Sequence, residues 1–281
     1  MPSLNALSID VEDYFQVSAF ESVIGRGDWH KWPARVEANT ERLLETFADF
    51  DVKATFFTLG WVAENYPGTV RAIVEQGHEL GCHGYEHVRL TQHNRDSFRD
   101  DLSRSKALLE DVSGERVNGY RAASFSITKN NSWAFDEIES AGFQYSSSVY
   151  PVRHDLYGIP DAPRTPFRPD GMQHLIEIPI ATARICGRNI PAGGGGYFRL
   201  FPYWISRRLL QLATSQELTS ANVYFHPWEF DPEQPRPEGL SFKARFRHYL
   251  NQGVALRRLK RLLDDFRWAP FKDVYLAEGR A

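Results

Sequence analysis

The 281-residue chain has only two cysteines, Cys82 and Cys186, so no disulfide framework can organise it. It also lacks an excess of charge of either sign: 33 Lys and Arg against 36 Asp and Glu leave a formal net charge of −3. Without a global positive field, nucleic acid is excluded as the main partner. Nowhere do 18 apolar residues run together, which excludes an ordinary transmembrane helix. Met1–Asp10 has neither a basic n-region nor an apolar h-region, so no secretory signal is expected and the sequence predicts a cytoplasmic protein. Peripheral contact with the inner face of the membrane stays open.

Apolar residues make up 42% of the chain, enough for a sizeable core and too many for intrinsic disorder. Aromatics reach 14%, with 7 Trp, 12 Tyr and 19 Phe. Such an excess fits a ring-rich core or a groove lined with flat rings, and composition does not choose between them.

Short apolar runs alternate with helical patterns. Strands are expected at Ala6–Val11, Ala54–Thr58, Glu79–Cys82, Val117–Arg121, Ile176–Pro179, Asn222–His226 and Val274–Leu276. Helices are expected over Val36–Phe50, Thr69–Gln76, Phe98–Val112, Trp133–Ala141 and Pro202–Gln216. About seven strands alternating with helices predict parallel βαβ units in an α/β barrel or open sheet, with functional side chains at the carboxyl ends of the strands. No internal repeat breaks residues 1–281 into units, so one domain is expected. Pro151–Gly171 reads as a long loop, and a helical extension is expected near 242–268. Pro191–Gly196 (PAGGGG) reads as a flexible turn; it lacks the Lys-Ser/Thr of a phosphate loop.

Four segments carry candidate chemistry. His83 and His87, directly after a strand, have the i, i+4 spacing that puts two imidazoles on one face of a helical turn, within reach of one metal. Two surface histidines would give the same spacing. Asp10, Glu12 and Asp13 end the first strand; three clustered carboxylates repel unless a cation or solvent offsets them, and Asp10 and Glu12 share a face by the two-residue strand period. Arg121, at another strand end, could orient a catalytic carboxylate and keep it ionised. His226 closes the apolar strand Val223–Phe225 beside Trp228.

Taken in order, these segments resemble the polysaccharide deacetylases, the NodB-type carbohydrate esterases of family four. The resemblance spans almost the whole chain. More narrowly it is to the branch associated with exopolysaccharide and exosortase clusters, through the strings DVEDYFQV (10–17), YRAASFSI (120–127), HDLYGIPDAPR (154–164), AGGGGYFRL (192–200) and YFHPWEF (224–230). It implies a distorted (β/α) barrel and a divalent metal ion, zinc by preference, held by His83, His87 and Glu12, with Asp13 as the competing acidic ligand. It implies Asp10 as general base held ionised by Arg121, His226 as the acid that protonates the leaving amine, and a backbone N–H near Ser124 for the oxyanion. Trp228 would wall the acetyl pocket, and Tyr14, Trp29, Trp32 and Trp228 are candidates for stacking on sugars, each equally suited to the core.

Two departures stand out. Ala123 replaces the usual Pro two residues after the arginine. Tyr145-Ser146-Ser147 stands where the family often carries an Asp, and that loss is expected to lower the pKa of His226. The implied substrate is an N-acetylhexosamine in a bacterial polysaccharide or a lipid-linked oligosaccharide precursor. The rival readings are an amidohydrolase of a small non-sugar amide, and a non-catalytic glycan-binding scaffold. The basic run Lys243, Arg245, Arg247, Arg257, Arg258, Lys260 and Arg261 could meet anionic lipid or acidic glycan, or simply face solvent on a helix packed through its leucines.

Overall fold

A computed structural model describes residues 3–155, 157–216 and 220–276. Its frame is a curled sheet of parallel strands: β1 (Leu4–Val11), β2 (Thr55–Thr58), β3 (Glu79–Cys82), β4 (Gly119–Tyr120), β5 (Tyr145–Ser146), β6 (Ile176–Glu177), β9 (Asn222–Phe225) and β10 (Arg267–Ala269). An antiparallel hairpin, β7 (Thr182–Ile185) and β8 (Arg188–Pro191), stands apart from it. The path runs β10-β1-β2-β3-β4-β5-β6, and β9 joins it by pairing with β1. β1 is the organising strand: Leu4–Ala6 pair with β10, Ala6–Ile9 with β9, and Ser8–Val11 with β2. The far side of the curl is bridged at Asn222, whose amide donates to the carbonyls of Ile178 (3.3 Å) and Pro179 (3.2 Å) and to Ser147 Oγ (2.9 Å). The expected α/β barrel with about seven parallel strands is therefore observed.

Helices cover the sheet: α1 (Val36–Asp49), α2 (Gly60–Asn65), α3 (Pro67–Glu75), α4 (Arg95–Ser113), α5 (Ala134–Ser140), α6 (Gly195–Leu200), α7 (Tyr203–Gln216), α8 (Phe242–Tyr249) and α9 (Gln252–Asp265). The best-specified is α4. Asn94 and Ser97 form a reciprocal capping box at its start, and Gly114 at its end adopts the left-handed conformation (φ 69°) that releases the chain. Its buried face, Phe98, Leu102, Ser105 and Leu109, recurs at helical spacing. Leu259, Leu262 and Leu263 of α9 belong to the main core, which also holds residues of β1, β2 and β9.

Two expectations are corrected. Val274–Leu276 is not a strand: Pro270 ends the ladder at β10, and Lys272–Leu276 form a π-helical turn in which Val274 is buried. The region near 242–268 is helical, in two pieces, because Asn251 (φ 56°) turns the chain between α8 and α9. The PAGGGG turn is partly helical, since α6 starts at Gly195. The described residues of 151–171 form neither helix nor strand beyond a bridge from Phe167 to Glu177.

Candidate active site

The carboxyl ends of β1, β3, β4 and β9 point to one place, as in other parallel α/β folds. β1 delivers Asp10 and, just past its end, Glu12. The turn after β3 delivers His83 and His87, β4 leads into Arg121, and β9 into His226. Asp10, Glu12, His83, His87 and Arg121 are all buried. The two histidines do not share a helical turn as the spacing predicts. The segment after Cys82 is irregular, with Gly84 (φ 77°) and His87 (φ 52°) in the left-handed region, and this loop brings the rings to 5.2 Å between centroids. Asp101 on α4 pins it by accepting from Tyr85 N at 3.1 Å.

Arg121 is a fully buried guanidinium. It donates to Asp10 Oδ1 at 2.5 Å, to Ser8 Oγ at 2.8 Å, and to Ser147 O and Oγ, both at 3.0 Å. One oxygen of Asp10 is thus fixed, while Oδ2 faces His226 Nε2 at 4.0 Å. A charge pair this deep is tolerable only when its remaining donors are satisfied, and Ser8 and Ser147 satisfy them.

Glu12, His83 and His87 each offer a ligand atom within 4.8 Å of the others', the one such group found among the described residues. The chemistry of these donors fits a cation. His83 Nδ1 lies 2.8 Å from the carbonyl of Arg121, which can only accept, so Nδ1 carries the hydrogen and Nε2 presents its lone pair. Burial lowers the pKa of both imidazoles, and His83 and His226 push His87 lower still, so both rings are neutral, as metal ligands must be. Glu12 Oε2 is buried, 3.0 Å from His87 Nε2, and receives no hydrogen bond. Burial pushes the Glu12 carboxyl up to about 7, against the pull of His226 and Trp228, which is the cost a bound cation would offset.

Asp13, the competing acid, is committed elsewhere. Oδ1 accepts from Tyr14 N (2.8 Å), and Oδ2 accepts from Arg35 N (2.7 Å) and Val36 N (3.0 Å). It ties the turn after β1 to the start of α1.

His226 is where the sequence reading is overturned. Burial alone would lower its pKa, but Glu229, Glu12 and Asp10 together raise it to about 9. Glu229 Oε2 lies 3.5 Å from His226 Nδ1 and accepts from His226 N at 3.0 Å. Glu229 is in turn held by Arg199 (Nε to Oε1, 3.0 Å), and both are buried. Where an Asp near 145–147 is absent, Glu229, in the turn after β9, places a carboxylate 3.5 Å from His226 Nδ1. Gly195 makes room for it: a Cβ there would lie 1.9 Å from Glu229 Oε2. Glu229 and Arg199 lie inside YFHPWEF and AGGGGYFRL, yet nothing in their spacing assigns them a role.

Trp228 donates Nε1–H to Glu12 Oε1 at 3.1 Å and stacks with His226 (4.9 Å) and His248 (4.2 Å). It backs the carboxylate. Tyr14 is fully buried, its hydroxyl donating to Pro33 O at 3.2 Å, and Trp29 is buried in the same cluster. Neither offers a face to sugar, which corrects the expectation for both; Trp32 is only partly buried. Ser124 and Phe125 both have φ 51°, an uncommon pair outside glycine, and Ser124 Oγ lies 2.8 Å from Ser18 Oγ. The basic run is largely occupied: Lys243 and Arg247 engage Asp155, Lys260 meets Asp49 at 3.7 Å, and Arg258 donates to the carbonyls of Phe198, Arg199 and Phe201. No helix of the described residues is long and apolar enough to cross a membrane.

Residues 29–146 match the family model described as polysaccharide deacetylase, and residues 147–276 match one described as a domain of unknown function, DUF3473. The first match includes His83, His87 and Arg121, the second includes Arg199, His226 and Glu229, and Asp10 and Glu12 precede both. Among curated proteins, a peptidoglycan-N-acetylglucosamine deacetylase of Bacillus cereus is 32% identical over 99 residues, covering 35% of this chain and 36% of its own length. A peptidoglycan deacetylase of Helicobacter pylori is 30% identical over 118 residues, covering 40% and 38%. The matched stretch thus spans little more than a third of these relatives. Among solved structures, a Mycobacterium smegmatis protein described as a polysaccharide deacetylase superposes with a TM-score of 0.61 at 20% identity, over 98% of this chain and 90% of that one. A family-four pseudoenzyme from Bacillus anthracis superposes at 0.50 and 15%, over 97% and 65%. The fold is shared, and a shared fold is compatible with an inactive site.

Proposed function

We propose, from the match of residues 29–146 to the polysaccharide deacetylase family model, that the chain is a metal-dependent hydrolase removing N-acetyl groups from N-acetylhexosamine units of a bacterial polysaccharide or its lipid-linked precursor. The observation that carries this reading is the buried Glu12, His83 and His87 cluster, flanked by a carboxylate fixed on an arginine and a histidine fixed on a glutamate. Glu12, His83 and His87 would hold a divalent ion, zinc by preference for two imidazoles and one carboxylate. When bound, such an ion polarises the amide carbonyl and acidifies a water molecule.

The remaining work falls to the chain. Asp10, with Oδ1 held by Arg121, keeps Oδ2 to accept the proton of the attacking water. His226, with the Glu229 carboxylate 3.5 Å from its Nδ1, would donate a proton to the departing nitrogen, without which an amine is a poor leaving group. The N–H groups of the left-handed Ser124–Phe125 turn are candidates for the oxyanion. Trp228 keeps Glu12 oriented and excludes water behind it. We propose further that residues 1–281 act as one domain, since strands from both matched regions pair with β1 or continue its sheet.

The test is to measure metal content and acetate release from N-acetylglucosamine oligomers before and after chelation. About one metal per chain and chelator-sensitive release are expected. Metal without release from any sugar would point to the small-amide rival; neither metal nor release, with glycan still bound, would point to a scaffold.

A further inference from the structure

Away from the strand ends, a cavity of about 730 Å³ opens between the 151–164 segment and the β7–β8 hairpin. That volume is in the range of small-ligand sites. Its lining includes Arg153, Arg164, Arg184 and Arg188, and Asp161 is the one acid among the lining residues, already paired with Lys129. Arg153, Arg184 and Arg188 alone make a cluster of positive charge that is unexpected on a chain whose net charge is −3. Arg153, Arg184 and Arg188 are exposed and make no ion pair among the described residues. Arginine stays charged at any physiological pH, and its planar fork matches a carboxylate or phosphate in bidentate fashion.

The cavity is also built rather than accidental. Arg164 is buried at its base, donating to Thr182 Oγ1 (3.0 Å) and Thr182 O (2.6 Å) of β7. The side-chain amide of Asn189 in β8 donates to Pro151 O at 2.9 Å, clamping hairpin to loop. One aromatic layer separates it from the site. Val152, in its lining, packs with Phe125, Tyr150 and Tyr224, and ring contacts lead from His226 to Tyr224 (5.6 Å), Phe125 (4.7 Å) and Tyr157 (6.1 Å). Tyr197, also in the lining, lies two residues beyond Gly195, against which Glu229 rests.

We propose that this arginine groove is a subsite for an anionic group of the glycan, the carboxylate of an acidic sugar or a phosphate, engaged by Arg153, Arg184 and Arg188. The assignment rests on the deacetylase reading for the identity of the ligand as a glycan, and it names the substrate class as acidic. Concave low-dielectric walls focus the field of the arginines, so the subsite would favour anionic chains over neutral ones.

The experiment is calorimetric titration of the full chain with a glucuronate oligomer and, separately, with inorganic pyrophosphate, using a neutral N-acetylglucosamine oligomer as control. Saturable binding of at least one anion is expected, weakened by roughly tenfold or more in R153Q/R184Q/R188Q and in the hairpin pair R184Q/R188Q. These side chains are exposed, and an unchanged thermal midpoint verifies that the variants fold. Tighter binding of the uronate assigns the source to the polymer; tighter binding of pyrophosphate assigns it to a phosphorylated precursor. No binding of either anion, or binding indifferent to the substitutions, overturns the proposal. Neither anion carries an acetyl group, so anion binding without acetate release would sink only the deacetylase reading, and release without anion binding only the subsite.

Discussion

Glu229 decides what His226 can do. Desolvation alone would lower the pKa of this part-buried imidazole; the Glu229 carboxylate, 3.5 Å from Nδ1, acts against it. Glu229→Gln keeps the shape and removes the charge, so kcat for acetate release is expected to fall by about 10- to 100-fold with metal content unchanged. Gly195→Ala should give a similar loss with no charged residue replaced, because its Cβ would overlap Glu229; equal kcat in Gly195→Ala and wild type would speak against this positioning. Arg121 is a different case. Replacing it by Met leaves Asp10 buried and unpaired, at a cost of about 3–5 kcal/mol in chemical denaturation. Of these residues, Asp10, His83, His87, Arg121 and His226 were candidates from the sequence, through their place at expected strand ends and the resemblance of their segments to one family. Glu229 and Arg199 were not, since a buried ion pair between α6 and the turn after β9 is set by tertiary packing and leaves no periodic trace.

At the scale of elements, legibility follows length and pattern. Glu79–Cys82 was readable to the residue, and α1, α4 and α7 to within a few, because their apolar spacing is helical and α4 is also capped at both ends. The two-residue strand β5 and the β7–β8 hairpin carry no such signal, and the strand expected at Val274–Leu276 failed because a short apolar run also suits a buried helical turn. The histidine spacing pointed to a helix, whereas a loop with two left-handed residues does the work. One element-scale expectation concerns pH. His78, before β3, is buried, with Nδ1 accepting from Ala54 N at 3.2 Å, and burial, helped by Lys53, lowers its pKa from 6.5 to about 4. Since the fold favours the neutral ring, this contribution is complete above about pH 6.5 and is lost as the pH falls towards 4. Thermal midpoints of wild type should therefore fall more steeply over that window than those of His78→Gln, and parallel curves would contradict it.

Across the whole molecule, the site belongs to neither matched region alone. Asp10 and Glu12 precede residue 29, His83, His87 and Arg121 lie in the deacetylase match, and Arg199, His226 and Glu229 lie in the DUF3473 match. β1 pairs with β9 and β10 from that second region, so a chain ending at Ser146 leaves one edge of β1 unpaired and the main core open. Such a truncation is expected to lose cooperative unfolding, and a sharp two-state transition from it would show that the regions fold separately. The 14% aromatic content now divides mostly towards packing, with Tyr14 and Trp29 in the core and Trp228 behind Glu12. Chemistry remains the central claim, and it turns on Asp10. The direct measurement is the rate of acetate release from N-acetylglucosamine oligomers by wild type and Asp10→Asn at equal metal content. A loss of about 10²- to 10⁴-fold in kcat is predicted for removal of the base; equal rates, or no release by the metal-loaded wild type, would contradict it.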